Sequence, residues 1–152
     1  MYRIIYKSRS STSLDWDLIR NILRKSEERN AKDNITGVLL ATQKHFLQVL
    51  EGDRQSVNDT FIRIARDDRH DAVELIGFGP IESRMYPGWS MRGIGVFDLN
   101  KDIELQLVSK YGEEDETVRI PLVEWEAFSL INDVQHSHGI QPENARTTTK
   151  SS

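Results

Sequence analysis

The order of hydrophobic periods along the chain constrains its fold more than any other feature. Residues 2 to 6 alternate at period two, with Tyr2, Ile4 and Tyr6 on one face and Arg3, Ile5 and Lys7 on the other, which predicts a first strand. The cluster from Ser8 to Ser13 reads as loop and cap. Leu14, Leu18, Ile19, Ile22 and Leu23 then recur at helical spacing, with Thr12 and Asp15 placed as a capping box and Lys25 and Arg29 closing the helix. From Ile35, two apolar runs flank the polar Thr42 to His45 and predict two strands joined by a short turn. Gly52-Asp53 caps a second helix in which Val57, Phe61, Ile64 and Ala65 share a face, and this helix ends in the charged stretch Asp67 to His70. Ala72 to Phe78 predicts a fourth strand stopped by Gly79-Pro80. Met91 to Phe97 predicts a fifth, where Gly93 and Gly95 leave room for a close approach.

The order β-α-β-β-α-β-β is α+β and ferredoxin-like: an open sheet with two helices across one face and one strand added. Beyond Asp98, Ile103, Leu105, Leu107 and Val108 predict a short helix ending near Lys110-Tyr111-Gly112, and the acidic Glu113 to Glu116 reads as a solvated connector. Pro121 opens a segment whose Leu122, Val123, Trp125, Ala127, Phe128, Leu130, Ile131 and Val134 surround most of a helix, an excess that points to an interface. The expected organisation is a domain over 1–98, a helical extension over 99–138 for signalling or oligomerisation, and a disordered tail over 139–152.

Composition removes several chemistries. The chain has no cysteine, so disulfides, thiolate zinc sites, a Cys nucleophile and a cysteinyl adduct are excluded. A net charge of −4 argues against generic nucleic-acid binding. No apolar run has the length of a membrane span or a signal peptide, so a cytoplasmic protein is expected. His136 and His138 form one i, i+2 pair that no carboxylate spacing completes, so no metal is expected.

Two polar residues fall in apolar places. Gln48 shares its strand face with Phe46 and Leu50, where an unpaired amide would cost about 1 to 3 kcal/mol. Its plain reading is a solvent-facing strand or a bond to backbone. Tyr6 sits on the Tyr2/Ile4 face and reads plainly as a core tyrosine whose hydroxyl reaches the surface. Asn30 suits a left-handed helix end, and Arg63 with Asp67 suits an i, i+4 surface ion pair.

Arg3-Ile4-Ile5-Tyr6-x-Ser8, Asn30, Asn34-Ile35-Thr36-Gly37-Val38-Leu39 and Phe46-Leu47-Gln48-Val49-Leu50-Glu51-Gly52 resemble, in order, the BLUF family of blue-light receptors that use flavin. The resemblance continues through Arg63-Ile64-x-x-Asp67-x-Arg69-His70 and Trp89-Ser90-Met91, and covers residues 2 to 98. It implies a flavin between the two helices with Ile22 and Ile64 against its faces. It assigns Asn30 to the ring's carbonyl and N–H edge, Arg63 and Asp67 to the edge or ribityl-phosphate side, and His70 to the same neighbourhood. Phe46 and Met91 would pack around Gln48, with either Trp89 or Met91 close to it. The cofactor implied is FAD, with FMN and riboflavin as alternatives. Under the resemblance, excitation drives electron and proton transfer from Tyr6 through Gln48 and back. A rotated or tautomerised Gln48 amide is left behind, and Trp89, Ser90 and Met91 carry the signal.

About 54 residues follow position 98, too few for a cyclase or phosphodiesterase domain. The expectation is a receptor, not an enzyme, that acts on a separate effector protein, such as a cyclic-dinucleotide phosphodiesterase or a response-regulator-like protein, and self-associates. The alternatives are a light-insensitive flavin-binding module and a small ferredoxin-like enzyme of acylphosphatase type. The latter would need an anion-binding loop after the first strand, which Ser8 to Ser13 lacks.

Overall fold

A computed structural model of the chain describes residues 1–97 and 99–139; the expected tail lies outside the described residues except for Gly139. The elements are β1 (Tyr2–Ser10), α1 (Trp16–Lys32), β2 (Thr36–Ala41), β3 (His45–Gly52), α2 (Arg54–Ala65), β4 (His70–Pro80), β5 (Arg92–Gly95), α3 (Lys101–Tyr111), β6 (Glu113–Glu114), β7 (Thr117–Val118) and α4 (Glu124–Gly139). The main sheet has the order β4-β1-β3-β2-β5. Its first four strands pair antiparallel in the expected ferredoxin-like arrangement, and β5 adds to β2 in parallel.

Local chemistry sets the element ends. Asp15 is itself the N-cap of α1, accepting from Leu18 N at 2.9 Å, so the capping box from Thr12 does not form. The first strand runs on to Ser10, into the cluster whose hydroxyls predict a loop, and His70 belongs to β4. Asn30 lies inside α1 and is buried; the left-handed residue after the helix is Asn34, at φ 55°. Asp53 caps α2, accepting from Ser56 N at 3.0 Å. The close approach expected at Gly93 is made by α1, because a Cβ there would sit 2.5 Å from Leu23 Cδ1.

Every residue of β2 and β3 is buried, which requires cover on both faces of the sheet. Ile4, Tyr6, Leu39, Phe46 and Leu50 pack against Ile19 and Leu23 of α1 and Val57 of α2. On the opposite face, Ile5, Val38, Leu40, Leu47 and Val49 pack against Leu107 of α3 and Ala127, Leu130, Ile131 and Val134 of α4. Much of the apolar excess that pointed to an interface is therefore spent within the chain. Leu122 and Val123, just before α4, and Trp125 in its first turn stay exposed. Tyr111 ties the two helices together by donating to Asp133 Oδ2 at 2.6 Å, beside Lys110 Nζ at 2.9 Å from the same oxygen.

The acidic run is not a free connector. It forms the β6–β7 hairpin, whose Asp115 and Glu116 hold φ of 53° and 68°, the two left-handed residues of a tight turn. Glu114 pairs with the buried Lys7 of β1 at 2.7 Å, and Lys7 also donates to Ile120 O at 3.1 Å. Among the described residues, no helix is long and apolar enough to cross a membrane and no group of three or more His, Cys, Asp or Glu could hold a metal ion.

Candidate functional site

Sheet register decides what meets in the middle of the first face. Tyr6 of β1 and Leu39 of β2 both stand directly opposite Gln48 of β3. Alternation turns Tyr6, Phe46 and Gln48 to the side of α1 and α2, where all three are buried. The Tyr6 hydroxyl donates to Gln48 Oε1, and Gln48 Nε2 lies 3.5 Å from Met91 Sδ. A sulfur acceptor is weak, so one side of this amide is held firmly and the other loosely.

Above the pair, α1 and α2 leave a cleft of about 330 Å³. Tyr6, Ile22, Asn30, Phe46, Gln48, Arg63, Ile64, Asp67 and His70 all line it, so the fold brings together every cofactor-binding residue expected from the sequence. Six further residues line it, to which the sequence pattern gives no role in the site: Lys25, Ser26, Arg29, Leu39, Thr60 and Arg69. Helical spacing contains the signal for four of these. Lys25, Ser26 and Arg29 follow Ile22 by one and two turns, and Thr60 precedes Ile64 by one turn. Lys25 and Arg29 do not close the helix, which runs on to Lys32; both face the cleft.

The Arg63–Asp67 ion pair does not form, because α2 ends at Ala65 and Asp67 lies beyond it. The Asp67 carboxylate takes Arg69 instead, with Nε at 2.9 Å from Oδ1. The hydrogen bonds from Arg69 hold its pKa at about 2. Burial, and then the nearby Arg29, lower the pKa of Arg63. Lys25, Arg29 and Arg63 thus share the cleft with one carboxylate that is already engaged. The Thr60 hydroxyl is buried with no hydrogen-bond partner among the described residues. His70 Nε2 is 2.6 Å from Ile64 O, which can only accept, so Nε2 carries a proton, and Nδ1 lies 2.7 Å from Ser8 Oγ.

The loop before β5 selects one of the two arrangements left open by the sequence. Met91 is buried against Gln48, while Trp89 packs on the opposite side of the sheet, stacked on Tyr86 and capped by the Arg92 guanidinium 4.4 Å from its ring centre. Ser90 contributes its carbonyl, which accepts from Asn30 Nδ2 at 3.3 Å.

Burial, and then the negative Asp67, push the Tyr6 phenol well above its ordinary value. The unfolded chain therefore ionises Tyr6 first, at pH about 10. Its contribution to stability is complete below that pH and is lost above it. Denaturation midpoints measured from pH about 8 to 11 are expected to fall less steeply in Tyr6→Phe than in the parent chain. Parallel curves would show that Tyr6 ionises with equal ease in both states.

A family model described as BLUF, sensors of blue-light using FAD, matches residues 1–92. Photoactivated adenylate cyclase subunit beta of Euglena gracilis is 32% identical over 96 residues, covering 59% of this chain and 11% of that protein. The solved dark-state structure of BlrB, a BLUF protein, matches with a TM-score of 0.69 at 29% identity, over 90% of this chain and 96% of that one. Klebsiella pneumoniae BlrP1 with FMN and cyclic diGMP matches with a TM-score of 0.60 at 26% identity, over 66% of this chain and 27% of that one. The chain spans about a tenth of the length of the cyclase relatives.

Proposed function

The chain belongs to the BLUF family, sensors of blue light that use FAD, and from that premise we propose that Tyr6 and Gln48 are its light-driven switch and that its output goes to a separate effector protein. The observation that carries this reading is the buried Tyr6–Gln48 hydrogen bond at the floor of the cleft between α1 and α2.

The cleft's donor set suits a flavin nucleotide. Ile22 and Ile64 offer apolar surface from the two helices. Asn30 and Gln48 offer amides that pair with carbonyl and N–H groups, and Thr60 offers an unsatisfied hydroxyl. Arg63, Arg29 and Lys25 supply the excess positive charge that a phosphate would neutralise. When bound, the flavin supplies blue-light absorption and a ring that takes up an electron and a proton on excitation. Tyr6 can give both, and its hydroxyl already points at the Gln48 amide oxygen. Gln48 has donor and acceptor on one planar group, so it can exchange roles by rotation or tautomerisation without leaving its place. Met91 Sδ yields easily as the amide reorders.

In this reading residues 1–98 are the photosensory domain, Trp89, Ser90 and Met91 pass the change on, and residues 99–138 carry the output. The chain performs no turnover of its own. The relatives named as photoactivated adenylate cyclase subunits match over about a tenth of their length, which supports a sensory role for the shared region. The effector is a cyclic-dinucleotide phosphodiesterase or a response-regulator-like protein, and self-association uses the same C-terminal helices, where Trp125 is 70% exposed. The setting is cytoplasmic.

Absorption spectra of the flavin-loaded chain before and after blue light test the reading. A small red shift that recovers in darkness supports it. Bound flavin without a reversible shift leaves only the light-insensitive module. The cationic cleft predicts the preferred ligand: Arg29→Ala combined with Arg63→Ala is expected to weaken FAD and FMN binding by roughly tenfold or more and riboflavin binding by less than about twofold. Titration calorimetry with each flavin measures the difference, and equal losses would place both arginines against the ring system instead of a phosphate.

A further inference from the structure

The segment from Ile81 to Met91 must carry the chain from the β4 edge to the β5 edge, past the ends of β1, β3 and β2. It is fastened to each strand in turn. Ile81 N donates to Met1 O at 2.9 Å, just before β1. On β3, the Glu51 carboxylate accepts from Met85 N at 2.9 Å and Tyr86 N at 2.8 Å. Arg84 Nη1 donates to the Glu51 carbonyl at 3.0 Å and to Thr36 Oγ1 of β2 at 2.8 Å, and its Nη2 donates to Asn34 O at 2.8 Å. Gly37 N, also on β2, donates to Trp89 O at 3.2 Å. Two residues later the chain delivers Met91 to Gln48.

Glu51 is the hub of this crossover. Its side chain is 0% exposed, and among the described residues its one charge partner within salt-bridge distance is Arg3, whose Nε and Nη2 each lie 2.9 Å from Oε2. A buried carboxylate is tolerated only when its lone pairs are occupied, and here Arg3 and two main-chain N–H groups of the crossover occupy them. The carboxylate therefore fixes which residues of the crossover sit over β3, and so how far along Met91 arrives.

We infer that Glu51 and Arg84 are positioning residues of the photoswitch: through the crossover they set the register that seats Met91 against Gln48. This rests on the reading of Tyr6 and Gln48 as the switch. The two are separable, because the seat of Met91 can be read in the dark without any photochemistry.

The test uses the full chain loaded with FAD and labelled with carbon-13 at methionine methyl groups, of which there are three. Glu51→Gln replaces an acceptor oxygen with a donor that faces Arg3 and two N–H groups. Arg84→Met removes the second fastening without burying an unpaired charge, and carries the test alone if Glu51→Gln does not fold. In the folded variants the dark-state Met91 methyl resonance, assigned by Met91→Leu, is expected to move or broaden. Dark recovery is expected to change by roughly tenfold, about 1.4 kcal/mol in the barrier, with FAD affinity held within about twofold. Arg84→Lys, which keeps a cation at the site, is expected to recover part of both effects. A Met91 resonance and recovery rate equal to those of the parent chain in Arg84→Met would overturn the inference. A parent chain with no reversible shift would overturn the switch itself, while the Met91 resonance would still report on the clamp.

Discussion

Gln48→Leu is expected to keep its flavin and lose the reversible red shift entirely. Leucine fits the apolar surroundings of Gln48, where Leu39, Phe46, Leu50 and Met91 are all buried, so the fold tolerates the change. Flavin retention follows because Ile22, Ile64, Asn30 and the cleft's arginines are untouched. The lost component is the side-chain acceptor of the Tyr6 hydroxyl among the described residues, together with the group that can exchange donor and acceptor. A buried hydroxyl without a partner costs about 1 to 3 kcal/mol, so some loss of stability accompanies the loss of signal. Tyr6→Phe removes the proposed electron and proton donor and is expected to abolish the shift equally. The double variant is then no worse than either single one, as expected for two residues that act as a unit. Absorption difference spectra of the three variants, taken at matched flavin occupancy, measure this. A residual shift in Gln48→Leu would mean that the signal does not pass through the amide.

Leu130→Ala is expected to destabilise the chain by about 2 to 5 kcal/mol, which lowers Tm by roughly 5 to 15 °C. Leu130 is 0% exposed, in the core between α4 and the second face of the sheet. Without α4, Ile5, Leu47 and Val49 would lose the cover that makes β1 and β3 buried on both faces. Calorimetry of the flavin-loaded variant tests this. A fall of less than about 2 °C would show that α4 docks too weakly to be part of the folded unit. The same docking gives α3 and α4 a physical route to the proposed switch. Residues 47 and 49 on β3 flank Gln48 and point at α3 and α4, so a change in β3 reaches both faces.

The sequence pattern contained the site's floor because strand alternation is local. Tyr6, Phe46 and Gln48 declare their shared side by period two alone, and the register of β1 on β3 completes the placement. The pattern is silent where placement depends on contacts distant in sequence or on a backbone conformation that the residue type does not announce. Arg63 and Asp67 would share a face at i, i+4 only on a helix that continued past Ala65, where α2 ends. The β6–β7 turn was hidden because Asp115 and Glu116 take left-handed conformations with no glycine to mark them. The destination of α4 could not be read from its own residues, since an apolar face does not say which surface will cover it. The same holds for Met91 over Trp89, a choice made by the fastenings of the crossover to Glu51, Thr36 and Gly37.

The central claim is that the Gln48 side chain changes its hydrogen bonds on illumination and returns in darkness. Its most direct test is the side-chain amide resonance of Gln48 in flavin-loaded chain labelled with nitrogen-15 at its six glutamines, with Gln48 assigned by its absence in Gln48→Leu. The account expects this resonance to move under blue light and to return at the rate at which the absorption recovers. A Gln48 resonance unchanged by light, in a sample whose absorption shifts, would contradict it.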